Sequence, residues 1–272
     1  MVNFTTSDGL SLHYTDEGAG LPILCLAGLT RTGADFDYVA PHLSEHRLIR
    51  LDYRGRGQSD WDANWKNYTL PVECRDVIEL LDHLSIEAVA IIGTSRGGLN
   101  AMGLAAAAPT RLLGVALNDI GPELNPQGLS GIMTFLGRRP ATKTHEDAAQ
   151  ALEKVMVGFA NVPQSRWLEE AHKHFVNDGG GLNITYDPKL RDAVEAGGDI
   201  PDLWPFFDAL AGKPLCCIRG AGSDLLSAET LAAMQTRRPD MIATTVPDRG
   251  HIPFLDEPEA VRTLKTWLGQ MT

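Results

Sequence analysis

The stretch Gly93-Thr94-Ser95-Arg96-Gly97 decides the fold of this chain. It follows a short apolar run, residues 88–92, that is typical of a buried strand. It precedes an Ala- and Leu-rich run, residues 98–108, that is typical of a helix ending at Pro109. A serine between strand and helix, with a glycine two residues away on each side, is the pattern of a nucleophile elbow. The turn leaves no room for side chains at the glycines and holds the hydroxyl above the sheet, so the pattern predicts that Ser95 is a nucleophile.

Composition sets the class of protein and of partner. The chain has 272 residues, of which 43% are hydrophobic and 22% are charged. This is enough for one large α/β domain, or for such a domain with an insertion. The net charge of −11 disfavours nucleic acid and anionic membrane surfaces, because both call for basic patches. We therefore expect a small-molecule substrate, no nucleic-acid partner and no membrane association, with no signal peptide at the N-terminus.

The four cysteines predict the compartment. Cys25, Cys216 and Cys217 fall in apolar runs and are expected to be buried free thiols. Together with Cys74 they show no spacing typical of a zinc site, so the sequence predicts no metal site. A reducing cytoplasm is the simplest setting for such a chain.

Strands and helices alternate along most of the sequence. Eight apolar runs predict strands, at about residues 4–7, 11–14, 21–27, 46–51, 88–92, 112–117, 214–218 and 242–246. Asp8-Gly9 predicts a hairpin turn between the first two strands, and helical patterns follow over residues 32–43 and 71–84. This alternation predicts a mostly parallel sheet that is covered by helices on both faces.

Residues 122–211 break the alternation. They hold four helical patterns, at about residues 124–136, 145–159, 163–177 and 187–196, and no clear buried strand. About 90 residues are too many for one crossover connection. The sequence therefore predicts a core of residues 1–121 and 212–272, with residues 122–211 inserted as a helical cap, or lid.

An elbow serine needs a histidine base and a carboxylate that orients the base. Of the eight histidines, His251 follows the last predicted strand, and chemistry in parallel sheets gathers at the carboxyl ends of strands. Asp224 and Asp119 also follow strands, and either could be the acid. The chain order Ser, Asp, His that is typical of this kind of site favours Asp224, with Asp119 as the alternative.

Two backbone amides are predicted to form the oxyanion hole. One is the amide of Arg96, the residue after the nucleophile, and the other is the amide of Leu29. Leu29 lies in Ala27-Gly28-Leu29-Thr30, where Gly28 lets the loop turn under a substrate. Gly28, Thr30 and Arg31 are accordingly predicted to be substrate-binding residues.

Taken together, these segments resemble the α/β-hydrolase superfamily, and within it the cap-bearing serine esterases and lactonase-like members. The resemblance covers nearly the full length and rests on five segments: residues 27–30, the Gly-rich residues 52–59, the Ser95 elbow, Asp224 and residues 249–251. It implies an eight-stranded, mostly parallel sheet. It also implies hydrolysis of a small carboxylic ester or lactone through an acyl-enzyme, with no cofactor.

Departures from the family pattern leave alternatives open. Arg31 and Arg96 flank the predicted site, where they either bind a substrate carboxylate or pair with structural carboxylates. Carbon–carbon bond hydrolases of this fold commonly have Asn before the serine and Trp after the histidine, where this chain has Thr94 and Ile252. That activity and a ligand-binding receptor with little turnover remain the alternatives. The oligomeric state, monomer or homodimer, is left open.

Overall fold

A computed structural model describes residues 2–198 and 200–271. Its strands are β1 (Val2–Thr5), β2 (Ser11–Glu17), β3 (Pro22–Leu26), β4 (Arg47–Leu51), β5 (Val89–Thr94), β6 (Leu112–Asn118), β7 (Phe175–Asn177), β8 (Leu182–Ile184), β9 (Leu215–Gly220) and β10 (Ile242–Val246). Eight of them form one sheet in the order β1-β2-β4-β3-β5-β6-β9-β10. Strand β2 is antiparallel to both of its neighbours, and the remaining pairs are parallel. The predicted opening hairpin and mostly parallel sheet are confirmed.

The helices are α1 (Leu70–His83), α2 (Arg96–Ala107), α3 (Pro126–Phe135), α4 (His145–Val155), α5 (Gln164–His174), α6 (Leu190–Ala196), α7 (Trp204–Asp208), α8 (Ala228–Arg237) and α9 (Pro258–Leu268). The helix predicted over residues 32–43 is wrong, because that stretch forms two short 3₁₀ turns, Gly33–Phe36 and Ala40–Leu43. The Gly33 amide donates to Asp52 Oδ1 at 2.8 Å, and Pro41 has no amide hydrogen to extend a helix. No helix of the described residues is long and apolar enough to cross a membrane.

The buried sheet separates two hydrophobic layers. Successive strand residues point to opposite faces, so Leu24 and Leu26 of β3 join one layer while Ile23 and Cys25 join the other. Helices α1, α2 and α8 cover the first layer, and α9 with the two 3₁₀ turns covers the second. Parallel strands buried on both faces explain the continuous apolar runs of the sequence.

The segment of residues 122–211 contains helices α3 to α7 and one small hairpin. The helix predicted over residues 163–177 ends at His174, and β7 and β8 then pair antiparallel, which the sequence did not predict. The side chains of Asn177 and Asp178 accept hydrogen bonds from the amides two residues further on, and these bonds form the turn. Helix α7 packs against the core, since Phe207 is buried in the first layer.

The carboxyl edge of the parallel strands carries the predicted site. The loop after β3 contains Gly28 and Leu29, Ser95 follows β5, and Asp119 follows β6. His251 lies five residues after the end of β10. Because β3, β5, β6, β9 and β10 run in the same direction, these loops meet above one edge of the sheet.

Candidate active site

Ser95 stands at a strained turn between β5 and α2. Its backbone has φ of 51° and ψ of −116°, a left-handed conformation that costs a non-glycine residue about 1–3 kcal/mol. Its amide donates to the Asn118 carbonyl at 3.0 Å. A Cβ added to Gly97 would lie 1.9 Å from the Leu26 carbonyl oxygen, and one added to Gly93 would lie 2.6 Å from the Gly97 carbonyl oxygen. The two glycines are therefore required by the close contact of α2 with the sheet.

A chain of hydrogen bonds joins Ser95, His251 and Asp119. The Ser95 Oγ lies 3.0 Å from His251 Nε2, and His251 Nδ1 lies 2.7 Å from Asp119 Oδ2. A carboxylate accepts, so His251 carries its proton on Nδ1 and presents Nε2 as the acceptor for the serine hydroxyl. This is the arrangement of a serine nucleophile with its base and orienting acid.

Asp119 is held rigidly. It is fully buried, and its backbone has a positive φ of 55°. Its Oδ1 accepts from the Gly220 amide at 2.7 Å, and its Oδ2 accepts from the Ser223 hydroxyl as well as from His251. These donors fix both carboxylate oxygens in position.

The prediction of Asp224 as the partner of His251 is wrong, and the alternative, Asp119, occupies that position. Asp119 follows β6 directly, next to the strand that carries Ser95. Asp224 lies four residues beyond the end of β9, and its backbone packs against Gly128 of α3. Among the described residues its side chain makes no hydrogen bond to His251. The chain order Ser, Asp, His could not decide between the two aspartates, because both lie between Ser95 and His251 in the sequence and both follow strands that end at the same edge.

The two elements that carry the predicted oxyanion donors border Ser95. Arg96 is the first residue of α2, and the first amides of a helix have no partner within the helix. On the other side, a Cβ added to Gly28 would lie 3.8 Å from Ser95 Cβ, so the loop that contains Leu29 borders the nucleophile. Thr30 is half-buried in the same loop.

Both flanking arginines pair with carboxylates of the protein. Arg31 Nη1 lies 3.1 Å from Glu170 Oε2, and its Nε lies 3.5 Å from Asp35 Oδ2. Arg96 Nε donates to Glu73 Oε2 at 2.7 Å. The structure thus supports the alternative in which these guanidinium groups bind structural carboxylates.

Sequence reasoning missed several residues that support this site. Ser223 binds Asp119, Asn118 binds the Ser95 amide through its carbonyl, and Arg56 donates to the Leu29 carbonyl at 2.9 Å. Glu73 binds Arg96 from the first turn of α1, whose sequence pattern gives no sign of a site. Within residues 2–198 and 200–271, no cluster of three or more His, Cys, Asp or Glu side chains could hold a metal ion.

Comparisons with known proteins agree with the fold. The profile of the alpha/beta hydrolase family matches residues 23–264. The chain is 36% identical to a 3-hydroxybutyrate-oligomer hydrolase of Cupriavidus necator over 88% of this chain and 85% of that protein. It is 27% identical to a 2-(acetamidomethylene)succinate hydrolase of Mesorhizobium japonicum, over 94% and 90% of the two chains. The crystal structure of an alpha/beta hydrolase from Novosphingobium aromaticivorans superposes with a TM-score of 0.92 at 39% identity, covering 99% of this chain and 97% of that one. The resemblance noted in the sequence is confirmed, and the chain belongs to the alpha/beta hydrolase family.

Proposed function

We propose that this protein is a serine hydrolase that cleaves a carboxylic ester through an acyl-enzyme. The observation that carries the proposal is the hydrogen-bonded chain from Ser95 Oγ through His251 to the buried Asp119. Nucleophile, base and orienting carboxylate have the mutual geometry that acyl transfer requires.

The steps follow from this geometry. The Ser95 oxygen attacks the ester carbonyl while its proton passes to His251 Nε2, and Asp119 stabilises the imidazolium that forms. The Leu29 and Arg96 amides donate to the developing oxyanion. His251 then gives its proton to the leaving alcohol, and the acyl group remains on Ser95. Water, deprotonated by His251, releases the acid and restores the serine.

The substrate we propose is a short ester built from hydroxy acids. The Cupriavidus relative is named as a hydrolase of 3-hydroxybutyrate oligomers and matches this chain over most of its length. The elbow serine and its partners act on the ester group itself, whatever acid and alcohol flank it. An intramolecular ester, a lactone, presents the same carbonyl and belongs in the same test.

We also propose that residues 122–211 form a cap that borders the substrate. A Cβ added to Gly250, next to the base, would lie 1.9 Å from the Val157 carbonyl oxygen. A Cβ added to Gly222 would lie 2.6 Å from Gly158 Cα. The loop after α4 therefore packs directly against the loop that carries His251. A cytoplasmic location and a monomeric or homodimeric state stay predictions.

The test is proton release in a pH-stat, with Ser95→Ala as the control. The panel contains the 3-hydroxybutyrate dimer, its methyl ester, a δ-lactone and a β-diketone. We expect turnover of the esters, and we expect Ser95→Ala to lower kcat by about 10⁶-fold, as loss of such a nucleophile does. Mass spectrometry of the acid-quenched reaction should show the acyl group on the peptide that contains Ser95.

Other outcomes identify the alternatives. Cleavage of the diketone without cleavage of the esters would point to a carbon–carbon bond hydrolase. Tight binding of panel members without steady turnover would point to a receptor. Undiminished ester turnover in Ser95→Ala would overturn the proposal.

A further inference from the structure

Three ionic side chains lie behind the predicted oxyanion hole: the fully buried Arg56 and Glu73, and the partly buried Arg96. Glu73, on α1, has no exposed surface. Its Oε1 lies 2.9 Å from Arg56 Nη2, and its Oε2 accepts from Arg96 Nε at 2.7 Å. Burial raises the pKa of Glu73, but Arg96 and Arg56 lower it by more, so its net pKa lies below the usual value. Glu73 is thus a carboxylate between two guanidinium groups.

On one side, this cluster holds the Leu29 loop. Arg56 Nε donates to the Leu29 carbonyl at 2.9 Å, while its Nη1 donates to the Arg54 carbonyl at 2.7 Å. The Gly28 carbonyl accepts from the Arg31 amide at 3.1 Å. Both peptide groups that flank Leu29 are therefore fixed through their carbonyl oxygens. Since the N–H of a trans peptide points away from its C=O, the bond to the Gly28 carbonyl sets the direction of the Leu29 amide, and the bond from Arg56 fixes the peptide group that follows it.

On the other side, the cluster holds the first turn of α2. Besides Arg96, Glu73 Oε2 accepts from Asn100 Nδ2 at 3.0 Å, one helical turn further along. Arg96 Nη2 donates to the Tyr68 carbonyl at 3.2 Å, and Asn100 Nδ2 also donates to the Tyr53 hydroxyl at 2.8 Å. These bonds fix the end of the helix that presents the Arg96 amide.

We infer that Glu73 is a positioning residue that holds the two oxyanion donors, the Leu29 and Arg96 amides, at fixed positions relative to each other. This inference rests on the proposed function. The Glu73 carboxylate binds Arg56, Arg96 and Asn100 rather than Ser95 or His251, so it acts through the two arginines. It is one group shared by two elements, the loop after β3 and helix α2, that are far apart in sequence.

A positioning role and a purely electrostatic role predict opposite results. Arg56, Glu73 and Arg96 together carry one net positive charge. Removing the negative charge would strengthen the positive potential near a developing oxyanion and would keep or raise kcat. Loss of positioning would lower kcat, because a displacement of about 1 Å at a reacting centre costs up to about 100-fold.

The experiment compares Glu73→Gln with the wild type in ester hydrolysis and in inhibition by 1-butaneboronic acid. The serine oxygen adds to the trigonal boron and passes its proton to His251, which yields a tetrahedral boronate that mimics the oxyanion. We expect kcat to fall by about 10- to 100-fold and the inhibition constant of the boronic acid to rise by a similar factor. We expect KM to change little, because the ester carbonyl in the ground state carries little negative charge.

Asp76→Asn is the matched control. Asp76 is also a buried carboxylate of α1, and it pairs with Arg54 Nε at 2.6 Å, away from the oxyanion donors. Arg54 keeps Asp8 and Asp62 as partners in this variant. We expect Asp76→Asn to lower the melting temperature while kcat and boronate inhibition stay close to the wild type.

Arg56→Lys gives a second readout if Glu73→Gln folds poorly. One ammonium group keeps the charge beside Glu73 but cannot reproduce the fork that binds Leu29 and Arg54. It should lower kcat and weaken boronate inhibition together. Wild-type kcat and boronate inhibition in the folded Glu73 and Arg56 variants would overturn the inference and leave the proposed function standing. Absence of ester turnover in the wild type would overturn both.

Discussion

At the scale of single residues, the orienting acid shows how the site is built. Asp119 binds His251 through one carboxylate oxygen that also accepts from Ser223, while the Gly220 amide binds the other oxygen. The residue next to the rejected candidate, Ser223, thus contributes to the site, whereas Asp224 itself does not contact His251. A carboxylate so fully bound has one orientation, and it imposes one tautomer on the histidine.

Asp119→Asn tests this assignment against Asp224→Asn. An asparagine amide beside His251 Nδ1 would donate a hydrogen bond to Nδ1, so the imidazole proton would move to Nε2. A protonated Nε2 cannot accept the proton of the Ser95 hydroxyl. We expect kcat for ester hydrolysis to fall by about 10⁴-fold in Asp119→Asn. Asp224→Asn should retain wild-type kcat. The reverse ranking of the two variants would refute the assignment of Asp119.

At the scale of elements, the turn from β5 into α2 explains why glycine surrounds the nucleophile. The helix begins so close to the sheet that a Cβ added to Gly97 would overlap the backbone of β3, and one added to Gly98 would overlap the Ile120 side chain. This approach points the N-terminus of α2 at the site, where its free amides favour a developing negative charge. Close packing and the proposed oxyanion stabilisation therefore depend on the same small residues.

Gly97→Ala and Gly131→Ala separate packing from helix propensity. The methyl group at residue 97 would meet the Leu26 carbonyl oxygen at 1.9 Å, so we expect a loss of at least about 3 kcal/mol in the free energy of unfolding. Gly131, in α3, has open space around an added Cβ, and alanine there should stabilise the protein by about 0.5–1 kcal/mol. Urea denaturation of both variants measures these changes, and equal stability of the two would contradict this account.

At the scale of the whole molecule, charged groups join the core to the 122–211 segment. Arg31 in the core pairs with Glu170 of α5, and Asp35 lies beside the same guanidinium group. Burial raises the pKa of Asp35 to about 6, although the charge of Arg31 lowers it. Nearby, burial holds the pKa of His174 well below its usual value. This contact between the core and α5 therefore contains Asp35, a carboxyl group that titrates near pH 6 in the folded protein.

Asp35→Asn should change how stability depends on pH. The folded protein binds the Asp35 proton more tightly than the unfolded chain, so the stability due to this group is present below about pH 4 and is lost as the pH rises through about 6. The asparagine side chain does not titrate, so the variant does not lose this stability as the pH rises. We therefore expect the free energy of unfolding of the variant minus that of the wild type to be larger at pH 8 than at pH 4, which means that the variant gains stability relative to the wild type as the pH rises.

Taking the difference in free energy of unfolding between variant and wild type cancels the contribution of His174, which has the opposite pH dependence. The stability that His174 contributes is lost as the pH falls below the pKa of histidine in the unfolded chain. Urea denaturation at a series of pH values measures the effect. A constant difference across the pH range would show that Asp35 does not titrate in this window.

The sequence by itself determined the sheet and the elbow, and it singled out His251 as the histidine that lies beside Ser95. Strand alternation, two glycines around Ser95 and a histidine after the last strand are local patterns, and local sterics and burial fix their meaning. Only the tertiary structure decided between Asp119 and Asp224, paired Arg31 and Arg96 with Glu170 and Glu73, and brought Arg56 to the Leu29 carbonyl. These contacts join residues from 23 to 139 positions apart. Which loop reaches which partner depends on strand order and helix packing, and neither leaves a periodic signal in the chain.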